Sequence, residues 1–132
     1  MEEKKSSPQS GYLRRLTSLK WNLADKANGE RNIKVANLFM QKLAPLIHDK
    51  KLPEPGFIGA PTGFIDVVWN RFEESGFVLT CTVDHEDGKS VLQILNVVYG
   101  QSDIYETLAF TTEQEQDKAI EAVVNMLKPL AV

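Results

Sequence analysis

Apolar residues follow two different periods along this chain. From Leu13 to Ile47, and again from Ile120 to Leu127, they recur about every three to four positions, the spacing of one helix face. From Phe64 to Phe110 they alternate with polar residues or run in blocks of strand length, rich in β-branched and aromatic types.

The first helical stretch carries Leu13, Leu16, Leu19 or Lys20, and Leu23 on one stripe, with Trp21-Asn22 as a turn anchor near its end. Before it, residues 1–10 are polar, contain Pro8 and lack periodicity, which predicts a disordered tail ahead of a single domain over 11–132. A second helix is predicted from Ile33, Ala36, Met40, Leu43 and Ile47, widened by Phe39 and capped by Asn28 or Asn32. Pro45 lies inside this pattern. It lacks a backbone donor and crowds the preceding turn, so the helix is expected to end or kink near Ala44. The last helix opens on Thr112-Glu113-Gln114-Glu115, a capping box, and runs to about Leu127 on a stripe of Ile120, Val123, Val124 and Leu127 before Pro129.

Between the helices, two Pro/Gly-rich pieces flank Phe57-Ile58 and predict a linker with a short edge strand in its middle. Strands follow over Phe64–Trp69, Phe77–Val83, Val91–Tyr99 and Asp103–Phe110. Ile65, Val67 and Trp69 share one face of the first long strand. Phe77, Leu79, Cys81 and Val83 share one face of the second. Val91–Tyr99 is apolar on both faces, as befits a central or doubly covered strand. Short turns join successive strands, so the expected fold is α+β: an antiparallel four- to five-stranded meander sheet with N-terminal helices and a C-terminal helix packed on it.

Composition narrows the function classes. The chain has 132 residues and a formal net charge of -3, a size for one domain and a balance unlike that of a nucleic-acid binder. Its basic doublets, Lys4-Lys5, Arg14-Arg15 and Lys50-Lys51, are scattered and read as solvated surface. Cys81 is the single cysteine, which excludes an internal disulfide and suits a reducing compartment. With no apolar signal segment and no run long enough to span a bilayer, the expectation is a cytoplasmic, bacterial protein without a membrane partner.

Candidate chemistry is sparse. Asp84-His85-Glu86-Asp87 is the densest ligand cluster, but consecutive turn residues diverge and the spacing fits no zinc or calcium loop, so an exposed acidic hairpin tip is expected. His48 complements a helix C-terminus. Cys81 sits mid-strand among apolar neighbours, where a thiol is inert. Gly56, Gly59 and Gly63 precede no helix and lack a Gly-Lys-Ser/Thr continuation, so they read as turn glycines rather than a phosphate loop. Trp21 and Trp69 read as core, and Asp66 and Glu73 oppose an RNA-stacking row. No catalytic residue, cofactor or metal ligand is assigned.

Leu19-Lys20-Trp21-Asn22, a helix with Ala36 to Phe39, Leu52-Pro53-Glu54-Pro55, and Pro61-Thr62-Gly63-Phe64-Ile65-Asp66-Val67-Val68-Trp69 together resemble a group of small uncharacterised bacterial α+β proteins. Those proteins combine a Trp-Asn/Asp-Gly turn, an N-terminal helical segment, a Pro-rich linker and a Pro-x-x-Gly-x-Ile-x-x-x-Trp strand. Here Leu23 follows Trp21-Asn22 in place of the glycine. The resemblance implies an α+β fold and a mobile-element or defence setting, and it implies no activity.

An apolar sheet face left over after the helices dock must be buried by something. The expected function is therefore a non-enzymatic protein-interaction module of antitoxin, immunity or adaptor type. Its partner is another protein or a second copy, with a homodimer through the sheet the simplest case. The candidate surface is Leu92, Ile94 and Val98, with Val78 and Val68 beside them, or the alternate set if the helices cover that side. Two alternatives stand beside it. One is a dimeric secretion-effector chaperone. The other is a small-ligand binder or enzyme with a pocket between sheet and helices, which needs residues such as His48, Asp66, Glu73, Tyr99 or Tyr105 to converge.

Overall fold

A computed structural model describes residues 8–19 and 24–131. In chain order they form helix α1 (Pro8–Ser18), helix α2 (Lys26–Lys50), strands β1 (Gly56–Gly59) and β2 (Ile65–Arg71), and a one-turn helix α3 (Phe72–Ser75). Strands β3 (Phe77–Glu86), β4 (Lys89–Val98) and β5 (Ile104–Ala109) follow, then helix α4 (Glu113–Leu127) and a 3-10 turn over Lys128–Leu130.

The sheet is five-stranded and antiparallel throughout, in the order β1-β2-β3-β4-β5, so each strand pairs with its neighbours in sequence. This is the expected α+β meander, with helices N-terminal and C-terminal to it. The short edge strand expected around Phe57-Ile58 is β1, and it contains Gly56 and Gly59. Those two glycines therefore belong to a strand. Of the three grouped as turn glycines, only Gly63 takes a positive φ, at 98°.

One apolar cluster fills the space between sheet and helices. Ile65, Val67 and Trp69 of β2, Phe77, Leu79, Cys81 and Val83 of β3, and Leu92 and Ile94 of β4 enter it from the sheet. Ala36, Phe39, Met40 and Leu43 of α2 and Ile120, Val123 and Leu127 of α4 enter from above, joined by Tyr12 and Leu16 of α1. Each fully buried aliphatic side chain of this kind contributes about 1.5–3 kcal/mol by leaving water. A period of two in the strands and one near 3.6 in the helices bring these residues to a common layer.

Local details differ from the sequence expectations at three points. Residues 8–10, placed by the sequence in a disordered tail, are helical as the first described residues of α1. The side chain of Leu13 and the Trp21-Asn22 anchor lie outside the described residues. Helix α2 is capped by Asp25, whose carboxylate accepts from the Asn28 amide at 3.0 Å, so neither Asn28 nor Asn32 serves as its cap. The same helix runs through Pro45 to Lys50. Pro45 is exposed, as is Gln41, whose carbonyl loses a donor, and water can take the vacated bond. By contrast, α4 starts as expected: Thr112 Oγ1 accepts from the Glu115 amide at 3.1 Å and Glu115 Oε1 accepts from the Thr112 amide at 2.9 Å.

The linker between α2 and β1 is strapped down by side chains from both ends. Tyr12 Oη donates to Glu54 Oε1 at 2.9 Å, and Arg15 donates to the Pro55 carbonyl at 2.9 Å. The Arg15 guanidinium also stands 4.7 Å from the centre of the Phe57 ring, whose edge-on partner is Tyr12. From the sheet, Trp69 Nε1 donates to the Pro53 carbonyl at 2.8 Å. These bonds satisfy linker carbonyls that no strand reaches and hold β1 at the sheet edge.

Candidate interaction surface

Alternation along β2 to β5 divides the strand residues between two faces. One face is the core just described, and α1, α2 and α4 all pack on that side. The other carries no helix among the described residues.

The register arranges this open face in rows. Val68 lies opposite Thr80, Thr80 opposite Leu95 and Leu95 opposite Tyr105, which aligns a row across four strands. Beside it, Asn70, Val78 and Val97 form a second row. On the other flank Ile58, Asp66, Thr82, Gln93 and Thr107 form a more polar one, where Thr82 Oγ1 donates to Asp66 Oδ1 at 2.6 Å. Val68, Val78, Leu95 and Val97 are half-buried by their neighbours alone, and Tyr105 is 69% exposed. Beyond the polar row, Asp84 stands opposite Val91 and Glu86 opposite Lys89 at this end of the face.

The five residues singled out from the sequence fall on different faces. Val68 and Val78 stand on the open one. Leu92 and Ile94 are 0% exposed beneath the helices, and Val98 packs against the same core. Parity explains the split: even-numbered residues face outward on β2 and β3 but inward on β4, because the β3–β4 register pairs Thr80 with Leu95. Leu95 and Val97 of β4, with Tyr105 of β5, are the residues that accompany Val68 and Val78.

A polar cluster closes the core at the β3–β4 hairpin. Asn32 is 0% exposed; its Nδ2 donates to the Gly63 carbonyl at 2.8 Å and its Oδ1 lies 2.8 Å from His85 Nδ1. Since the Asn32 amide already donates to Gly63, its oxygen accepts from His85 Nδ1–H. That leaves His85 Nε2 to accept from Ser90 Oγ at 3.2 Å in the neutral ring. Burial, followed by the nearby Arg31 charge, holds the His85 pKa below the usual histidine value, against a smaller opposite effect of Asp84. His85 is therefore a half-buried member of a network and not part of an exposed tip. The turn proper is Asp87-Gly88, both with positive φ, as a two-residue hairpin requires. The signal was in the alternation: His85 continues the inward parity of Cys81 and Val83.

The residues named for a small-ligand pocket do not meet. His48 is exposed in the last turn of α2, on the helical side, whereas Asp66 and Tyr105 stand on the opposite sheet face. Glu73 is exposed on α3, and Tyr99, just past β4, is 80% exposed. Packed side chains fill the space between sheet and helices. An open groove instead runs outside, between α2 and α4, lined by Lys42, Leu46, Ile120, Val124 and Lys128 and crossed by a Lys42–Asp117 ion pair at 2.8 Å. Cys81 is fully buried, and burial first, then the Asp66 charge, pushes its thiol pKa far up. Among the described residues no group of three His, Cys, Asp or Glu side chains could hold a metal ion, and no helix is long and apolar enough to cross a membrane.

The strand likened to Pro-x-x-Gly-x-Ile-x-x-x-Trp has a single residue between Pro61 and Gly63, so it departs from that pattern by one position. No family model, curated protein or solved structure matches the chain.

Proposed function

We propose that this chain is a non-enzymatic protein-binding module, of antitoxin, immunity or adaptor type, that recognises its partner through the open face of the sheet. The observation that carries this reading is the row of Val68, Leu95 and Tyr105, with Val78 and Val97 beside it, on a face without a helix over it among the described residues. Sheets of this kind hide such residues or use them. The backbone beneath the row is paired on both sides along β2, β3 and β4, so little ordering entropy is lost on docking. The partner's chemistry follows from the face: an apolar centre to meet Leu95 and Tyr105, and a basic residue to meet Asp84.

The test compares immobilised wild-type protein with Leu95→Asp in extracts of the cells that encode it. Leu95 lies outside the core, so the variant keeps its circular dichroism and cooperative unfolding. A protein retained by the wild type and lost by Leu95→Asp supports the reading. Equal retention by both, or recovery of partners only through the helical side as mapped by hydrogen exchange, overturns it.

A further inference from the structure

The two edges of the sheet are not equivalent. β1 is four residues long, bracketed by Pro55 and Pro61, and clamped by Tyr12 and Arg15. These are the usual protections of an edge strand. β5 has none of them. It is six residues, Ile104-Tyr105-Glu106-Thr107-Leu108-Ala109, without proline, glycine or lysine, and only Leu108 is less than exposed.

The hydrogen-bond phase of β5 is fixed by its inner partner. The Phe110 amide donates to the Ser90 carbonyl at 3.0 Å, and the register places these residues opposite each other. Antiparallel ladders alternate, so Ile104, Glu106 and Leu108 turn their amides and carbonyls toward β4, while those of Tyr105, Thr107 and Ala109 point away from the sheet. Three donors and three acceptors thus line an edge that no other strand among the described residues pairs.

From this we infer that β5 pairs with β5 of a second copy, antiparallel about a two-fold axis at Thr107, to make one continuous sheet across a homodimer. Two symmetric registers keep the pairing within the strand. An axis at Glu106 sets the two Glu106 carboxylates directly opposite each other, which is unfavourable. An axis at Thr107 pairs Thr107 with its counterpart and Tyr105 with Ala109, and all the outward amides and carbonyls of both strands then find partners. On the open face, the large Tyr105 ring meets the small Ala109 of the other copy. On the helical face, Glu106 comes opposite Leu108, beside a groove lined by Leu108, Ala119 and Ala122 and rimmed by both Lys118 and Glu115. This register keeps the two Glu106 carboxylates, the one charge on each strand, from standing directly opposite each other and sets a large side chain against a small one on the open face.

The inference concerns an edge and stands apart from the reading of the open face. Light scattering after size exclusion is the test. The wild-type chain of 14.8 kDa is expected to show twice that mass at tens of micromolar. Thr107→Pro removes an amide that points outward and breaks no bond within the chain, so it is expected to stay folded with the mass halved. In Thr107→Cys the new thiols face each other at about 5.5 Å between Cα atoms, within disulfide reach, and mild oxidation links the dimer; Glu106→Cys does not cross-link. Leu95→Asp, on the open face, keeps the dimer mass. A monomeric wild type, a Thr107→Pro protein that remains dimeric, or a dimer lost in Leu95→Asp but kept in Thr107→Pro overturns the inference. The first of these outcomes leaves the open-face reading untouched.

Discussion

The Oδ1 of Asn32 lies 2.8 Å from the Nδ1 of His85, joining the first turns of α2 to the far end of β3 across 53 residues of chain. The same amide holds the Gly63 carbonyl. One fully buried side chain thus ties a helix, a loop and a hairpin. Asn32→Leu leaves both the Gly63 carbonyl and the His85 N–H without partners, and is expected to cost about 2–4 kcal/mol in urea unfolding.

The same network predicts a pH dependence. The His85 pKa is lowered in the folded chain, so the unfolded chain takes up the proton first as pH falls. Stability is therefore unaffected well above the ordinary histidine value of about 6.5 and declines as pH drops below it, until the folded-state pKa is passed. Urea midpoints at about pH 7.5 and about pH 5.5 should differ for the wild type, and the difference should shrink in His85→Gln. An unchanged difference in that variant would remove His85 as the cause.

Gly63 is pinned by the start of α2. Its φ is 98°, and a Cβ there would stand 2.8 Å from Asn28 Nδ2 and 2.9 Å from the Gly29 amide. Gly63→Ala must strain the backbone and push the helix N-terminus away. A loss of at least about 2 kcal/mol is expected, larger than the usual surface substitution. Gly56→Ala, with open space around its Cβ position and no positive φ, serves as the comparison and should change stability little.

The capping box of α4 sets a fourth expectation. Thr112→Ala removes the acceptor for the Glu115 amide and should cost about 1 kcal/mol. The Thr112 and Thr111 amides hold the Glu115 pKa below the usual carboxylate range. Its contribution is present above the ordinary glutamate value and fades as pH falls through the folded-state pKa, in a window more acidic than that of His85. Glu115→Gln should flatten the acid limb of the stability profile and leave the region near neutrality alone.

Cys81 offers a direct probe of core opening. It is fully buried with a raised pKa, so a thiol reagent should react only when β3 is exposed. Labelling rates are expected to track global unfolding across urea concentrations. Rapid labelling under native conditions would place a local opening between β3 and the helices.

The alternation of β2 and β3, the stripes of α2 and α4 and the Thr112–Glu115 box were legible because each is a local pattern with a single structural meaning. What joins two strands was less so. Whether Leu92 or Leu95 shares a face with Val78 depends on the β3–β4 register, and the register depends on where the hairpin turn lies. Ending β3 at Val83 and taking Asp84–Gly88 as a turn hid both the Asp87-Gly88 pair and the inward place of His85. Its bond to Asn32 is a tertiary contact, and no periodicity encodes it. The run through Pro45 departs from the expected break for a simpler reason: a proline on the wet side of a helix gives up one bond that solvent replaces.

A sheet whose every strand pairs with the next one in the chain can form by successive hairpin closures, each over a short loop. Such wiring keeps the entropy of loop closure low and favours rapid assembly. The docking of the helices is less local: the Asn32–His85 bond spans 53 residues and the Lys42–Asp117 pair of α2 and α4 spans 75. The C-terminal helix is thus the last piece able to find its seat, and a nascent chain halted before Glu113 would hold a complete meander with part of its greasy underside still wet.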